Sequence, residues 1–528
     1  MTGTDDAQLP ERTRRVGRPG RRTALRVVAV GAIAVVLAVV GVFVLDRRTV
    51  VAPSTGGPHP PASQEPAAAS CATSIQSLVD AAASGTTVTV PACLARETVT
   101  IDKPLTLSGS PGAEIRGSDV WTGWTPQGAT WLSALTLPDL DGAGGSCRSG
   151  DDCQRPEQVF FDGNPLGRTD GVPGAGQFAL DAARHVVLGE DPATHLVEVT
   201  TRTSWVVIEA PDVTVEGFSM RHAANKPQTG AILNVEGAGH DTIRDNLFAY
   251  AHGADVALDH GNDNLIENND IGFGGELGVH LGGDGTPTTG GGNIVRGNHI
   301  HDNNVAGFDP EWEAGGLKAT VQTGLVVEDN VVERNAGPGI WCDIYCTDVT
   351  ISGNHVSQNT HAGIFYEVSS KGTITGNVAW ANGFGKHVWG WGAGILVSSS
   401  QDTSVSGNVV AWNASTGISV ISQDRTDWPD VKAIGDTVRD NTMVAAAGSD
   451  LLFWGQDWNG PLYESASQNG GSNDRYWVAP GGGAPFLWQV DIASLDTFNS
   501  TPGEEGGTYL TDAQKDQVLT AAGIPTTP

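Results

Sequence analysis

Five segments decide the fold: GNHIHDN (297–303), DNVVERN (329–335), GNHVSQN (353–359), GNVAWAN (376–382) and GNVVAWN (407–413). Each places a second asparagine five residues after the first, as in Asn298/Asn303, Asn330/Asn335, Asn354/Asn359, Asn377/Asn382 and Asn408/Asn413. Leading asparagines extend back to Asn268 and Asn246 and forward to Asn441, with steps of 22, 30, 32, 24, 23, 31 and 33 residues. A basic unit of 22–24 residues, lengthened at intervals by an insertion, accounts for these steps. Short alternating runs such as TDVTISGN, GTITGN and DTSVSGN mark strands with one buried face. A Gly-Ile or Gly-Val step recurs at Gly278-Val279, Gly339-Ile340, Gly363-Ile364, Gly394-Ile395 and Gly417-Ile418.

Three short strands per unit, with Gly and Asn at the corners, describe one coil of a parallel β-solenoid. Inward Val and Ile then form a continuous core. Corner asparagines tolerate left-handed backbone and can bond their copies above and below. A leucine-rich repeat would need regular leucines, and a propeller would need units of about 40 residues.

The sequence resembles the right-handed parallel β-helix superfamily of pectate-lyase-like, carbohydrate-active proteins. The stretch 71–117 adds to the resemblance: SIQSLVDAAASG, a short amphipathic segment, precedes TVTVPACLARETVTIDKPLTLSGSPGAEIRGS. The resemblance covers roughly residues 71–500 and implies an all-β fold, a right-handed parallel β-helix with an N-terminal cap helix. Such a cap shields the edge groups and bare core of a terminal coil.

Composition agrees. The chain has 528 residues, 70 of them glycine, more than a helical bundle tolerates at about 1 kcal/mol each. Hydrophobic residues reach 39%, which excludes wholesale disorder. The net charge of −30 disfavours a nucleic-acid partner.

The N-terminal region predicts an address. Residues 1–26 form a basic tail with seven arginines against Asp5, Asp6 and Glu11. Residues 27–45 are uncharged, and as a helix they span roughly 28 Å, enough to cross a bilayer. Asp46-Arg47-Arg48 follows directly, as after a stop rather than a cleavage site. Arginines preceding the span predict a cytoplasmic N-terminus and an extracellular main domain on a single-pass membrane anchor. Residues 46–70, rich in Pro, Ser and Ala, read as a tether. Beyond it we expect a cap and first coils with insertions (71–210), central repeats (211–445) and closing strands, loops and tail (446–528), with a weak helix at 511–522. Six cysteines suit an oxidising compartment, with local pairing Cys71–Cys93, Cys147–Cys153 and Cys342–Cys346 as the natural arrangement.

A solenoid turns sequence period into a spatial column. Asp343 and Glu367 each follow the glycine of a Gly-Ile step by four, and they lie 24 residues apart, one unit. In register they are neighbours at the backbone, with Lys318 within about one position of their column and Glu311 and Glu313 on the preceding insertion. Two like charges in lateral contact destabilise each other, so a use for them is expected. The expected use is glycosidic bond cleavage, in which one carboxyl donates a proton and the other acts as base or nucleophile. Glu311 or Glu313 is a third acid. Trp312, Trp341, Tyr366, Trp389, Trp391 and Trp412 are candidates to stack on sugar rings, and His280 to bind substrate. Asp255, Asp259 and His260 are placed to extend the groove.

Two alternatives stand beside a hydrolase. One is a polysaccharide lyase or uronate C5-epimerase, with Lys318 as base and Glu311, Glu313, Asp343 and Glu367 holding Ca²⁺; a hydrolase requires no cofactor. The other is a surface glycan-binding or spacer module without chemistry. His280 and Asp284, and His301, His361 and His387 near corners, match no metal-site spacing, so no metal site is expected. GFGGELG (272–278) reads as corner glycines rather than a nucleotide fingerprint.

Overall fold

The structure, a computed structural model, describes residues 69–140, 144–282, 291–386, 389–423, 425, 431–455, 461–481 and 483–528. The predicted tail, the membrane span 27–45 and most of the tether lie outside the described residues, as do Asp284 and His387. Among the described residues no helix is long and apolar enough to cross a membrane.

Each coil contributes one strand to each of three long sheets, of 12, 13 and 13 strands. The pairing along the coils is parallel; one of the 13-stranded sheets ends in one antiparallel strand, Val490–Ile492. The repeat segments supply the short strands His299–His301, Val331–Glu333, His355–Ser357, Val378–Trp380 and Val409–Ala411, stacked in order. Their central residues, such as Ile300, Val332 and Val356, point inward and are buried.

The repeated asparagines form the expected ladders. Asn298, Asn330, Asn354, Asn377, Asn408 and Asn441 follow one another, and each side-chain oxygen accepts the backbone N–H and side-chain amide of the residue one coil earlier. Asn303, Asn335, Asn359, Asn382 and Asn413 build a second ladder in the same way. The ladders are buried, and they satisfy corner amides that would otherwise be orphaned. The Gly-Ile step has its reason here. A Cβ on Gly339 would lie 2.7 Å from both the Gly363 carbonyl and the Asn359 amide, so only glycine lets that ladder in.

Helix Ile75–Ala81 closes the N-terminal end, burying Ile75 and Val79. Gln76 exchanges two bonds with the backbone of Thr100, so the helix also covers the exposed edge strand. The stretch between the first coils carries an insertion that sequence periodicity did not define. It folds as an antiparallel sheet of four strands and a mixed sheet of five, antiparallel but for one parallel edge pair, around a separate core containing Trp121, Phe161, Phe178 and Val199. At the far end, helix Asp512–Ala521 packs Leu519 against Trp412 and Val378. Trp412 is thus a docking site for this helix, with its Nε1 donating to Pro525, and not part of a groove.

Two of the three expected disulfides are present, Cys71–Cys93 and Cys147–Cys153. Cys342 and Cys346 instead remain buried thiols. Cys342 points into the core from its strand, and the Cys346 thiol turns to the Ala319 and Asp343 carbonyls at 3.5 and 3.7 Å.

The first ladder ends on an acid. Asp474 accepts both donors of Asn441, and beside it the Tyr476 hydroxyl donates to Glu504. Burial, with the Glu504 charge, pushes the Asp474 carboxyl up to about 8. A raised carboxyl favours the fold while protonated. Its contribution is complete below about pH 4 and is lost as pH rises through about 8. We therefore expect amide protection factors in strand Arg475–Val478, corrected for base-catalysed intrinsic exchange, to fall from pH 6 to pH 9, and Asp474→Asn, which continues the ladder without a charge, to remove that fall.

Candidate active site

The site lies on the outer face of one long sheet, where strands Leu277–Leu281, Gly315–Thr320, Ile340–Asp343 and Ile364–Glu367 are consecutive neighbours. Register aligns His280, Lys318, Trp341 and Phe365 in one outward column. Asp343 pairs with Thr320, and the same register continued by one residue sets Asp343 beside Glu367. Lys318 therefore sits two positions, not one, from the acid column, and reaches it through its side chain. Immediately after these strands the backbone bends through left-handed residues, Val321, Ile344 and Val368, at φ of 54°, 48° and 46°. Such conformations are costly for β-branched side chains, about 1–3 kcal/mol each, and persist where the surroundings impose them.

A cleft of about 470 Å³ opens above the column, lined by Gln228, Asp259, His260, His280, Glu313, Lys318, Thr320 and Asp343 among others. Its charged groups form one relay. Asp259 meets His280 Nδ1 at 2.9 Å and also accepts Gly282 N–H at 2.7 Å. His280 Nε2 lies 3.6 Å from Glu313 Oε1. Lys318 Nζ lies 2.9 Å from Glu313 Oε2 and 3.0 Å from Asp343 Oδ2, and it donates to the Trp312 carbonyl. Glu313 and Asp343 thus grip one ammonium from two sides, with their oxygens no more than about 6 Å apart.

Their proton affinities diverge. Burial opposes ionisation of Glu313, but the nearby His280 ring and the Lys318 charge outweigh it and hold the carboxyl below its ordinary value. Burial prevails at Asp343, whose carboxyl is raised although Lys318 pulls it down. Burial acts against protonation of His280 as well, yet Asp259 and Glu313 raise it well above an ordinary histidine. Behind them Glu276 is fully buried, and burial together with the Glu313 charge pushes it up to about 8. Its Oε2 accepts the Gln228 N–H, and its Oε1 has no hydrogen-bond partner among the described residues.

The expected site residues divide. Glu313, Asp343, Lys318 and His280 come together. Glu367 stands next in line but ion-pairs with Arg425, so the Asp343–Glu367 ladder is two separate ion pairs and not a bare acid pair. Glu311 turns away to an ion pair with Lys386. Tyr366 is not a substrate platform: it alternates inward from Phe365 and is buried in the core, its hydroxyl on the Ser370 carbonyl. Trp341 lies between Lys318, 3.5 Å above its ring, and a stacked Phe365, so both its faces are covered. Trp312 leans on Phe308, and Trp391 is half-buried beside Phe365. Trp389 remains 50% exposed and is the most open of these candidate rings. Asp255 is buried beneath the sheet rather than in the groove.

Three contributors escaped sequence reasoning. Glu276 was hidden in the GFGGELG run, and Arg425 is 58 residues from its partner Glu367. The third is the loop closed by Cys147–Cys153. Ser146 and Arg148 exchange backbone bonds with Asp309 and Gly307, and Gly145 leaves room for the Trp312 ring, which a Cβ there would meet at 2.6 Å. The insertion therefore braces the turn that carries Glu313. Reducing this bridge is expected to raise amide exchange at Asp309 about 10-fold or more while Leu317 in the adjacent strand is unchanged, because local opening follows local contacts.

Residues 231–398 match the family model described as right handed beta helix region. No curated protein matches the chain. Among solved structures the chain is similar to XylC in complex with xylose, at 15% identity and a TM-score of 0.51, over 77% of this chain and 73% of that one. It is also similar to the A-module of a mannuronan C-5 epimerase from Azotobacter vinelandii (13% identity, 75% and 96% covered, TM-score 0.41) and to a pectate lyase (14%, 56% and 76%, 0.36). The protein is a right-handed parallel β-helix.

Proposed function

We propose that this β-helix is a carbohydrate-active enzyme that hydrolyses glycosidic bonds of a polysaccharide, with Asp343 as proton donor and Glu313 as the ionised carboxylate. The observation that carries the reading is the Glu313–Lys318–Asp343 bridge in an open cleft. Glycoside hydrolysis needs two carboxyls flanking one bond, one protonated and one charged. Environments that push two acids apart supply both forms at one pH. Lys318 orients the pair, and the His280 imidazolium, aimed by Asp259, adds a donor for sugar hydroxyls. Trp389 offers a stacking face. A saccharide ligand accords with the fold shared with XylC, solved with xylose.

The lyase or epimerase alternative asks Lys318 to be a base. Lys318 Nζ instead donates to the Trp312 carbonyl and to Glu313 and ion-pairs with Asp343, so its close partners are all acceptors already in use. Ca²⁺ through Glu311, Glu313, Asp343 and Glu367 would have to displace Lys386, Lys318 and Arg425.

The test is digestion of cell-envelope and plant polysaccharides with and without a calcium chelator. A hydrolase yields new reducing ends that survive chelation. Unsaturated ends absorbing in the ultraviolet, abolished by the chelator, would instead identify a lyase. In this reading residues 27–45 anchor the enzyme with its body outside the cell. An N-terminal tag should stay with the membrane fraction, and its release would defeat the anchor.

A further inference from the structure

A second cluster stands on a different sheet from the cleft. Strands Asp270–Gly272 and His299–His301 are parallel neighbours, with Asp270 opposite His299 and Gly272 opposite His301. Alternation buries Ile300 and sends both histidines outward. One nitrogen from each ring and one Asp270 oxygen converge, all within 4.8 Å of one another. His301 Nε2 is 2.9 Å from Asp270 Oδ1, and His299 Nδ1 is 3.6 Å from Asp270 Oδ2. Ligands about 2.0–2.1 Å from a tetrahedral Zn²⁺ stand roughly 3.3 Å apart, a spacing the two imidazoles, stacked with centroids 4.1 Å apart, would reach on pivoting toward one Asp270 oxygen.

Independent features point the same way. The far nitrogen of each ring already has a carboxylate: His301 Nδ1 lies 2.8 Å from Asp302, and His299 Nε2 lies 3.2 Å from Glu333. That carboxylate–imidazole pairing fixes the tautomer and aims the other nitrogen, as behind metal-bound histidines generally. Arg334 ion-pairs with both Asp302 and Glu333, so these outer acids are balanced without drawing on the centre. Gly272 keeps the seat clear, since a Cβ there would meet the His301 ring at 2.6 Å.

We propose that Asp270, His299 and His301 bind a first-row divalent cation of the Zn²⁺ type. Two imidazoles and one carboxylate suit such an ion better than Ca²⁺, which prefers six or more oxygens. The ion ties two successive coils together. Asp270 lies at the surface, so a fourth position faces solvent. This site uses none of the groups assigned to glycan cleavage and stands or falls separately from that reading.

The experiment is calorimetric titration of the full-length chain, free of any histidine tag, with Zn²⁺, together with X-ray absorption of the bound metal. One Zn²⁺ per chain with two imidazole ligands is expected. His299→Ala/His301→Ala should weaken binding at least 100-fold, and Glu333→Gln, which keeps every ligand, about 10- to 100-fold. Circular dichroism should be unchanged in both variants. Absence of binding, affinity unchanged in the double variant, or a metal spectrum without imidazole in the unaltered chain would overturn the proposal and leave a salt-bridge network.

Discussion

Replacing Asp343 by Asn is expected to lower turnover of the cleaved glycan by about 10²- to 10⁴-fold, the range a positioned proton donor supplies. Glu313→Gln should fall in the same range. Glu367→Gln should cost far less, because Glu367 is committed to Arg425. The pH profile gives the sign of each role. Asp343 is raised, so as donor it is active while protonated, and rate falls as pH rises through its pKa. Glu313 is lowered, so as the charged partner it fails only as pH falls through its own. The product is a bell whose alkaline limb belongs to Asp343. Asp343→Asn should abolish that limb, and leaving groups that need no proton should restore much of the lost rate. Kinetics of the three variants between pH 4 and pH 9 check this; an alkaline limb that persists in Asp343→Asn contradicts the assignment.

Lys318→Met is expected to destabilise the folded chain by about 3–5 kcal/mol. The Lys318 side chain is 3% exposed and serves two carboxylates, both nearly as buried. Removing it strands the Glu313 charge without that counterion and leaves Asp343 without its ammonium partner. Methionine keeps the contact with Trp341, so the loss reports charge and not packing. Adding Glu313→Gln and Asp343→Asn to Lys318→Met should recover most of the stability, since a neutral trio no longer needs compensation. Equilibrium denaturation of the single and triple variants measures both. A triple variant no more stable than the single would mean that the ammonium does not balance these acids.

The fold was legible because its determinants are local and periodic. Asparagines such as Asn354 bond the same position one coil away, so the ladder writes its spacing directly into the chain. The neighbourhood of Asp343 and Glu367 followed from that period. What the period could not convey was who neutralises whom. Lys318 was seen one position from the acids, but it acts across two positions because its side chain is long. Arg425 and the Cys147–Cys153 loop reach the site from segments outside the repeat. Tyr366 was readable: strict alternation after Phe365 sends it inward, and its aromatic character alone suggested a surface role. In the cluster of Asp270, His299 and His301 the run HIH shows the two histidines together, but Asp270 comes from the preceding coil, so no contiguous motif completes the set.

The most direct measurement is a crystal structure of the Asp343→Asn variant holding an oligosaccharide that the unaltered chain cleaves. A glycosidic oxygen is expected within hydrogen-bond reach of residue 343, with Glu313 facing the anomeric carbon. A saccharide bound away from this cleft, or one with Lys318 alone addressing a ring carbon, would contradict it.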